Sequence, residues 1–112
     1  MDKPITWMGS SKGKIRGFPL RARQQAGYQL WRVQQGLLPT DWKPMASIGS
    51  GAAEIRLHEP HEHRVIYVAK FGEAVYVLHV FAKKTRKTEK RDIETARKAY
   101  QAVLELRRGE RL

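Results

Sequence analysis

The chain has 112 residues, with 22 Lys and Arg against 11 Asp and Glu, a formal net charge of +11, and no cysteine. That length suits one domain with a single modest core, and a hydrophobic share of 41% is too high for a disordered basic tail. The absence of cysteine excludes disulfide scaffolds, thiolate metal sites and cysteine nucleophiles together.

The longest apolar stretch, Ala74 to Ala82, is interrupted by His79 and is too short to span a bilayer. Met1-Asp2-Lys3-Pro4 lacks the apolar run of a secretory signal, so the expected setting is cytoplasmic, with no membrane partner. A basic excess of this size points to a polyanion, with nucleic acid or a ribonucleoprotein as the expected partner. The charge is spread along the chain, nine Lys and Arg against three acids before His58 and thirteen against eight from there on. It is densest between Lys83 and Arg91, where six cations meet only Glu89. No repeat, low-complexity segment or linker marks a domain boundary, so residues 1–112 read as one domain.

In chain order, Lys3 to Gly9 reads as a short extended segment. Ser10 or Ser11 then caps a short helix that runs to Arg16 and is interrupted at Gly17. Pro19 suits the first residue of a second helix, because its missing N–H is not needed there. Ile15, Phe18, Ala22, Ala26, Leu30, Val33 and Leu37 recur at steps of three and four and define one helical face. Gly36 fits the C′ position, and Pro39 marks the stop. With Pro44, Gly49 and Gly51 as breakers, Pro39 to Ala53 reads as a long loop. Three extended segments follow, Ala53 to Leu57, Arg64 to Phe71 and Ala74 to Lys83, the last two joined by a tight hairpin at Gly72-Glu73. The final helix is expected from Glu89 to Arg107, with Thr88 as its N-cap and Ile93, Ala96, Tyr100, Val103 and Leu104 as its apolar stripe. The pattern predicts an α+β domain: a small, mostly antiparallel, twisted sheet packed by two N-terminal helices and one C-terminal helix.

Several stretches then fall into the order of a known family. They are Phe18-Pro19, Tyr28-Gln29-Leu30 through Gln35-Gly36, Asp41-Trp42-Lys43-Pro44-Met45, Glu54-Ile55-Arg56 and Arg64-Val65-Ile66-Tyr67. Val77 to Thr85, Lys87-Thr88 and Ile93-Glu94-Thr95-Ala96 complete the set. Together these resemble the RelE/ParE superfamily of bacterial type II toxins, in its phage-derived, HigB-like branch, over roughly residues 15 to 100. The strand ending Leu78-His79-Val80-Phe81-Ala82-Lys83-Lys84-Thr85 is the most specific match. The resemblance implies a RelE-like fold and a cognate antitoxin, usually of helix-turn-helix type. It also implies endoribonuclease activity on messenger RNA in the ribosome, which inhibits translation. A ParE-like gyrase inhibitor, or a non-catalytic antitoxin- or nucleic-acid-binding domain, are the alternative functions of the same fold.

With neither thiolates nor a carboxylate cluster in the sequence, the simplest RNA-cleaving chemistry needs no metal and no cofactor. The ribose 2′-hydroxyl attacks its own 3′-phosphate in line, forming a 2′,3′-cyclic phosphate and releasing the 5′-hydroxyl. The protein must orient the nucleotide, neutralise the phosphoryl oxygens and move two protons. Arg56 and Arg64 are the candidates for the phosphate, since a guanidinium offers two parallel hydrogen bonds. Lys83 should share a face with His79 and Phe81, while Lys84 should share the side of Leu78 and Val80 unless the strand ends or bulges there. Neighbouring cations should lower the pKa of Lys83 and make it a proton carrier, and His79 is the other candidate for proton transfer. Phe81 is placed to stack on a base, and Lys84, Arg86, Lys87, Lys90 and Arg91 to grip the RNA backbone. This arrangement requires Arg64 and Lys83 to be close together and accessible. The catalytic tyrosine that some relatives carry near the C-terminus has no counterpart after Tyr100, which lies on the expected core stripe. His58, Glu59, His61, Glu62 and His63 match no common zinc spacing, so no metal is assigned to them.

Overall fold

A five-stranded sheet with a helical layer on each face forms the protein, described here over residues 2–110 in a computed structural model. The elements are β1 Ile5–Trp7, α1 Ser11–Arg16, α2 Leu20–Gln34, β2 Trp42–Pro44, β3 Ala52–Leu57, β4 His63–Val68, β5 Val75–Ala82 and α3 Lys90–Glu110. The strand order is β1-β5-β4-β3-β2. Three of the pairings are antiparallel, and β1 runs parallel to β5 with Ile5 opposite Val75.

The two layers follow from two helical patterns. On α2, Ala22, Ala26, Leu30 and Val33 are buried together with Ile15 and Phe18 against Ile55, Leu57, Val65, Val77 and Val80. On α3, Ala96, Tyr100 and Val103 are buried against Ala52, Ile66, Val68, Tyr76 and Leu78. Alternate residues of each strand therefore feed different cores, and the central strands β4 and β5 are buried nearly end to end. Both faces of the sheet are covered along most of its length. Only the end that holds Arg56 and Lys83 lies beyond the first turn of α3.

Several expectations change in detail. The stretch assigned to a loop contains β2, whose Trp42, Lys43 and Pro44 pair with Ile55, Glu54 and Ala53. Pro44 is tolerated because β2 lies at the sheet edge. Leu37 leaves the helical face: Gly36 takes φ +84°, and Leu37 turns back so that its N–H bonds the Arg32 carbonyl, leaving its side chain exposed. Pro19 is the N-cap of α2 rather than its first helical residue. The β4–β5 connection is longer than a two-residue turn, since Phe71 leaves the strand to meet the Tyr76 ring edge-on at 6.1 Å. Thr88 precedes α3 without capping it: the Glu89 carbonyl accepts the Ile93 N–H, and the Thr88 hydroxyl points elsewhere.

A β-bulge matters most for the site. The β4–β5 register passes from Ile66–His79 to Tyr67–Val77, so Leu78 is an extra residue. Leu78 and His79 consequently both face α3, and Val80 faces α2. The expectation that Leu78 and Val80 share a side is overturned by this one insertion.

Candidate functional site

Past the bulge, strand alternation places Glu54, Arg56, Arg64, Phe81 and Lys83 on the α3 face of the sheet. Arg56 is directly opposite Arg64 in the β3–β4 ladder, and Arg64 is opposite Phe81 in the β4–β5 ladder. Lys43 on β2 is opposite Glu54. Two arginines directly across a ladder repel each other, so the arrangement needs an anion. Glu54 supplies it from a fully buried position, with Arg64 Nε at 3.6 Å and Arg56 Nε at 3.9 Å from its Oε1. The Thr88 hydroxyl donates to Glu54 Oε2 at 2.8 Å and draws the 83–89 loop across this end of the sheet. Glu54 Oε1 and the two arginine Nε atoms are buried and held by charge alone, without a hydrogen bond among the described residues.

The two arginines have different fates. Arg56 keeps a third of its side chain exposed and faces outward over Glu54. Arg64 is only 5% exposed, with one terminal nitrogen donating to the His63 carbonyl at 3.0 Å and the other to Glu62 at 2.9 Å. Its expected accessibility is not met, because Glu54 and Glu62 hold the guanidinium inside. The accessible cations around Glu54 are therefore Lys43, Arg56 and Lys83. Lys83 is half-buried, its backbone N–H donating to the Glu62 carbonyl. Burial first, and then the Arg64 charge, lower its pKa, while Glu54 pulls the other way. The neighbouring cations that lower it are Arg64, Lys43 and Arg56, all from other strands of the sheet.

His79 and Phe81 form a second group. Their rings stack at 5.2 Å, and His79 Nε2 lies 2.8 Å from Asp92 Oδ1 on α3. Burial is the main cause that pushes the His79 pKa down, outweighing Asp92. His79 looks towards a cleft of about 500 Å³ that it shares with Lys14, Phe81, Lys84, Arg91 and Asp92, not towards Glu54. Phe81 stands between the two groups. Arg86 and Lys87 are exposed in the crossing loop, Lys90 opens α3, and Arg91 is exposed and paired with Glu89 at 3.0 Å. Tyr100 is buried under Gly49 and donates to the Ser50 carbonyl.

Glu62 also faces the exposed His58, whose Nδ1 lies 2.7 Å from it while Nε2 lies 2.5 Å from Asp41. Asp41 first and Glu62 next raise the His58 pKa, and His58 in turn lowers that of Glu62. The relay Asp41–His58–Glu62–Arg64–Glu54 thus ties the start of β2 to the cation cluster.

Glu54 is the residue that sequence reasoning passed over except as part of a motif. A carboxylate between Ala53 and Ile55 in a buried strand, two residues before an arginine, was the available signal. Lys43 was hidden by the loop assignment, and Thr88 by its suitability as a cap.

A family described as phage-derived protein Gp49-like (DUF891) matches residues 14–101, from α1 into α3, which includes all of these side chains except the end of α3. No curated protein matches the chain.

Proposed function

The chain belongs to the phage-derived Gp49-like family, commonly one of toxin–antitoxin toxins, and on that premise we propose that it is the toxin of such a pair and cleaves messenger RNA on the ribosome. The RelE/ParE-like, HigB-like resemblance supports the finer reading, and a helix-turn-helix antitoxin is the partner it implies. The observation that carries the proposal is the triad of accessible cations, Lys43, Arg56 and Lys83, gathered over the buried Glu54.

In this reading Arg56 and Lys43 receive the scissile phosphate, and their charges offset the negative charge that builds on its oxygens as the 2′-hydroxyl attacks. Lys83 is the proton carrier. Its depressed pKa lets it exist in both forms closer to neutrality than a solvated lysine does. Arg64 is a positioning residue, bracing Glu54 from behind, and does not touch the phosphate. His79, committed to Asp92 and turned to the other cleft, takes no part in proton transfer. The loop cations Lys84, Arg86 and Lys87, with Lys90 and Arg91, attract the RNA backbone.

Induced expression followed by mapping of RNA 5′ ends tests this. Cuts inside translated codons are expected, carrying 5′-hydroxyl ends, and loss of the proton carrier in Lys83→Ala should cost about 10²- to 10⁴-fold. Intact transcripts with double-strand breaks in DNA would replace the reading by gyrase inhibition, towards which nothing in the cation cluster leans. Growth arrest with neither lesion would overturn both.

A further inference from the structure

A cleft of about 530 Å³ opens between α2 and the end of β3, and Arg56 belongs to its wall as well as to the cation cluster. Tyr28 lines it from α2, 53% exposed, with its ring stacked on Trp31 at 6.0 Å and 25° between the planes. Gln29 is committed: its amide bonds the Thr40 hydroxyl and accepts the Thr40 N–H, which ties α2 to the loop before β2. Gln24 and Gln25 line the same cleft, and neither side-chain amide has a partner among the described residues. The charges of the cleft are balanced. Arg56 and His58 stand with Asp41 and Glu59, and these acids are already held, Asp41 by His58 at 2.5 Å and Glu59 by Arg21 at 2.6 Å. A neutral cleft beside a phosphate site has no pull on a second phosphate. Its aromatic wall and two open amides suit a flat ring with a hydrogen-bonding edge.

We propose that this cleft receives the nucleobase next to the phosphate held at Arg56, splayed out of its strand, stacked on Tyr28 and read along its edge by Gln24 and Gln25. The inference rests on the reading of Arg56 as a phosphate ligand and adds a base subsite to it. A primary amide presents a donor and an acceptor side by side, which matches an exocyclic amine beside a ring nitrogen, or a carbonyl beside a ring N–H. Two such amides can tell one base from another, which the cations cannot. Trp31 backs Tyr28, so the platform is set before the base arrives. The strand that leaves the cleft stays in a positive field: residues Lys3 to Thr40 hold seven Lys and Arg and no acid, with Arg21, Arg23 and Arg32 on α2 itself. An acidic protein segment would find the same cations, but it would bring its carboxylates against Asp41 and Glu59, whereas a base is uncharged.

The test titrates the full ¹⁵N-labelled chain with five single-stranded DNA hexamers, which lack the attacking 2′-hydroxyl and stay intact. Four carry adenine, cytosine, guanine or thymine at the third position and abasic sites elsewhere; the fifth is wholly abasic. At least one base-bearing hexamer should move the Gln24 and Gln25 side-chain amide signals and bind about tenfold more tightly than the abasic one. Tyr28→Ala should bring it down to the abasic level; if that variant does not fold, the abasic comparison makes the same test on the native chain. Gln24→Ala with Gln25→Ala should shrink the spread of affinities among the four bases. Equal binding of abasic and base-bearing hexamers, equal affinity for all four bases, unmoved Gln24 and Gln25 signals, or an acidic Glu-Val hexapeptide moving them where no hexamer does would each overturn the proposal. Because the hexamers are never cut, the outcome is separate from that of cleavage. Intact transcripts in cells, with Gln24 and Gln25 still answering to one base, would remove the nuclease and keep the base subsite; cut transcripts with silent glutamines would do the reverse.

Discussion

Replacing Glu54 by glutamine removes one charge and almost nothing of the side chain's shape. The carboxamide oxygen can still accept from Thr88, so the loop anchor survives and the change is electrostatic. Arg64, 5% exposed, then loses the anion 3.6 Å from its Nε and faces Arg56 across the ladder without an intervening charge. Breaking a buried pair by removing one partner costs about 3–5 kcal/mol. Arg64 keeps Glu62 at 2.9 Å, an acid that is 42% exposed and screened by solvent, so the low end is expected, about 3 kcal/mol. That is a large share of the roughly 5–15 kcal/mol that holds a domain together, and should lower the thermal midpoint by roughly 10–20 °C. Urea unfolding should show a reduced midpoint concentration with unchanged slope. Arg64→Met combined with Glu54→Gln should cost at least about 1.5 kcal/mol less than the sum of the single changes, because the apolar side chain no longer needs the anion. A Glu54→Gln midpoint within error of the parent, or strict additivity, would refute the buried-anion account.

Other consequences follow from neighbouring groups. The raised His58 pKa gives stability that is present below about 6.5 and fades as pH climbs through its folded value; the lowered Glu62 pKa gives stability present above 4.5 and lost as pH falls through its folded value. The difference in thermal midpoint between the parent and His58→Ala should therefore peak between those limits and shrink on both sides. His79 has the opposite sign: burial lowers its folded pKa, so below 6.5 the unfolded chain takes up the proton first and stability falls. Its NMR titration midpoint should lie below that of a free histidine and drop further in Asp92→Asn, whereas a rise would contradict the assigned pairing. Gly49→Ala should destabilise by about 1–3 kcal/mol in chemical unfolding, because a Cβ there comes within 2.6 Å of the Tyr100 ring, whose hydroxyl is fixed on Ser50.

The parts legible in the sequence were those governed by local periodicity. Ala22, Ala26, Leu30 and Val33 on α2 and Ala96, Tyr100 and Val103 on α3 announce their faces through spacing alone, and both helices are where that spacing puts them. Strand β2 was not legible, since three residues carry no period and Trp42–Pro44 is a strand only because β3 lies beside it. The bulge was invisible for a related reason: Leu78 is as apolar as its neighbours, and only the partner strand reveals that it is supernumerary. At the candidate site, Arg56 and Lys83 stand together as their strand positions suggested. The burial of Arg64 depends on Glu54 and Glu62 reaching it from a facing strand and from the preceding loop, a meeting that no single segment encodes. His79 looked like a proton carrier because of its type. Its partner Asp92 belongs to α3, whose local pattern speaks of a cap and an apolar stripe and not of a side chain that reaches β5.

Leu78 works as a parity bit for the end of β5. With Leu78 kept and no bulge, strict alternation would turn Phe81 and Lys83 towards α2 and bring Val80 and Ala82 to the α3 side. The bulge therefore decides whether the same downstream letters spell a cation cluster or a packing surface. Deleting Leu78 should remove the bulge, leave Val77 and His79 in regular alternation, and keep Phe81 and Lys83 on the α3 side.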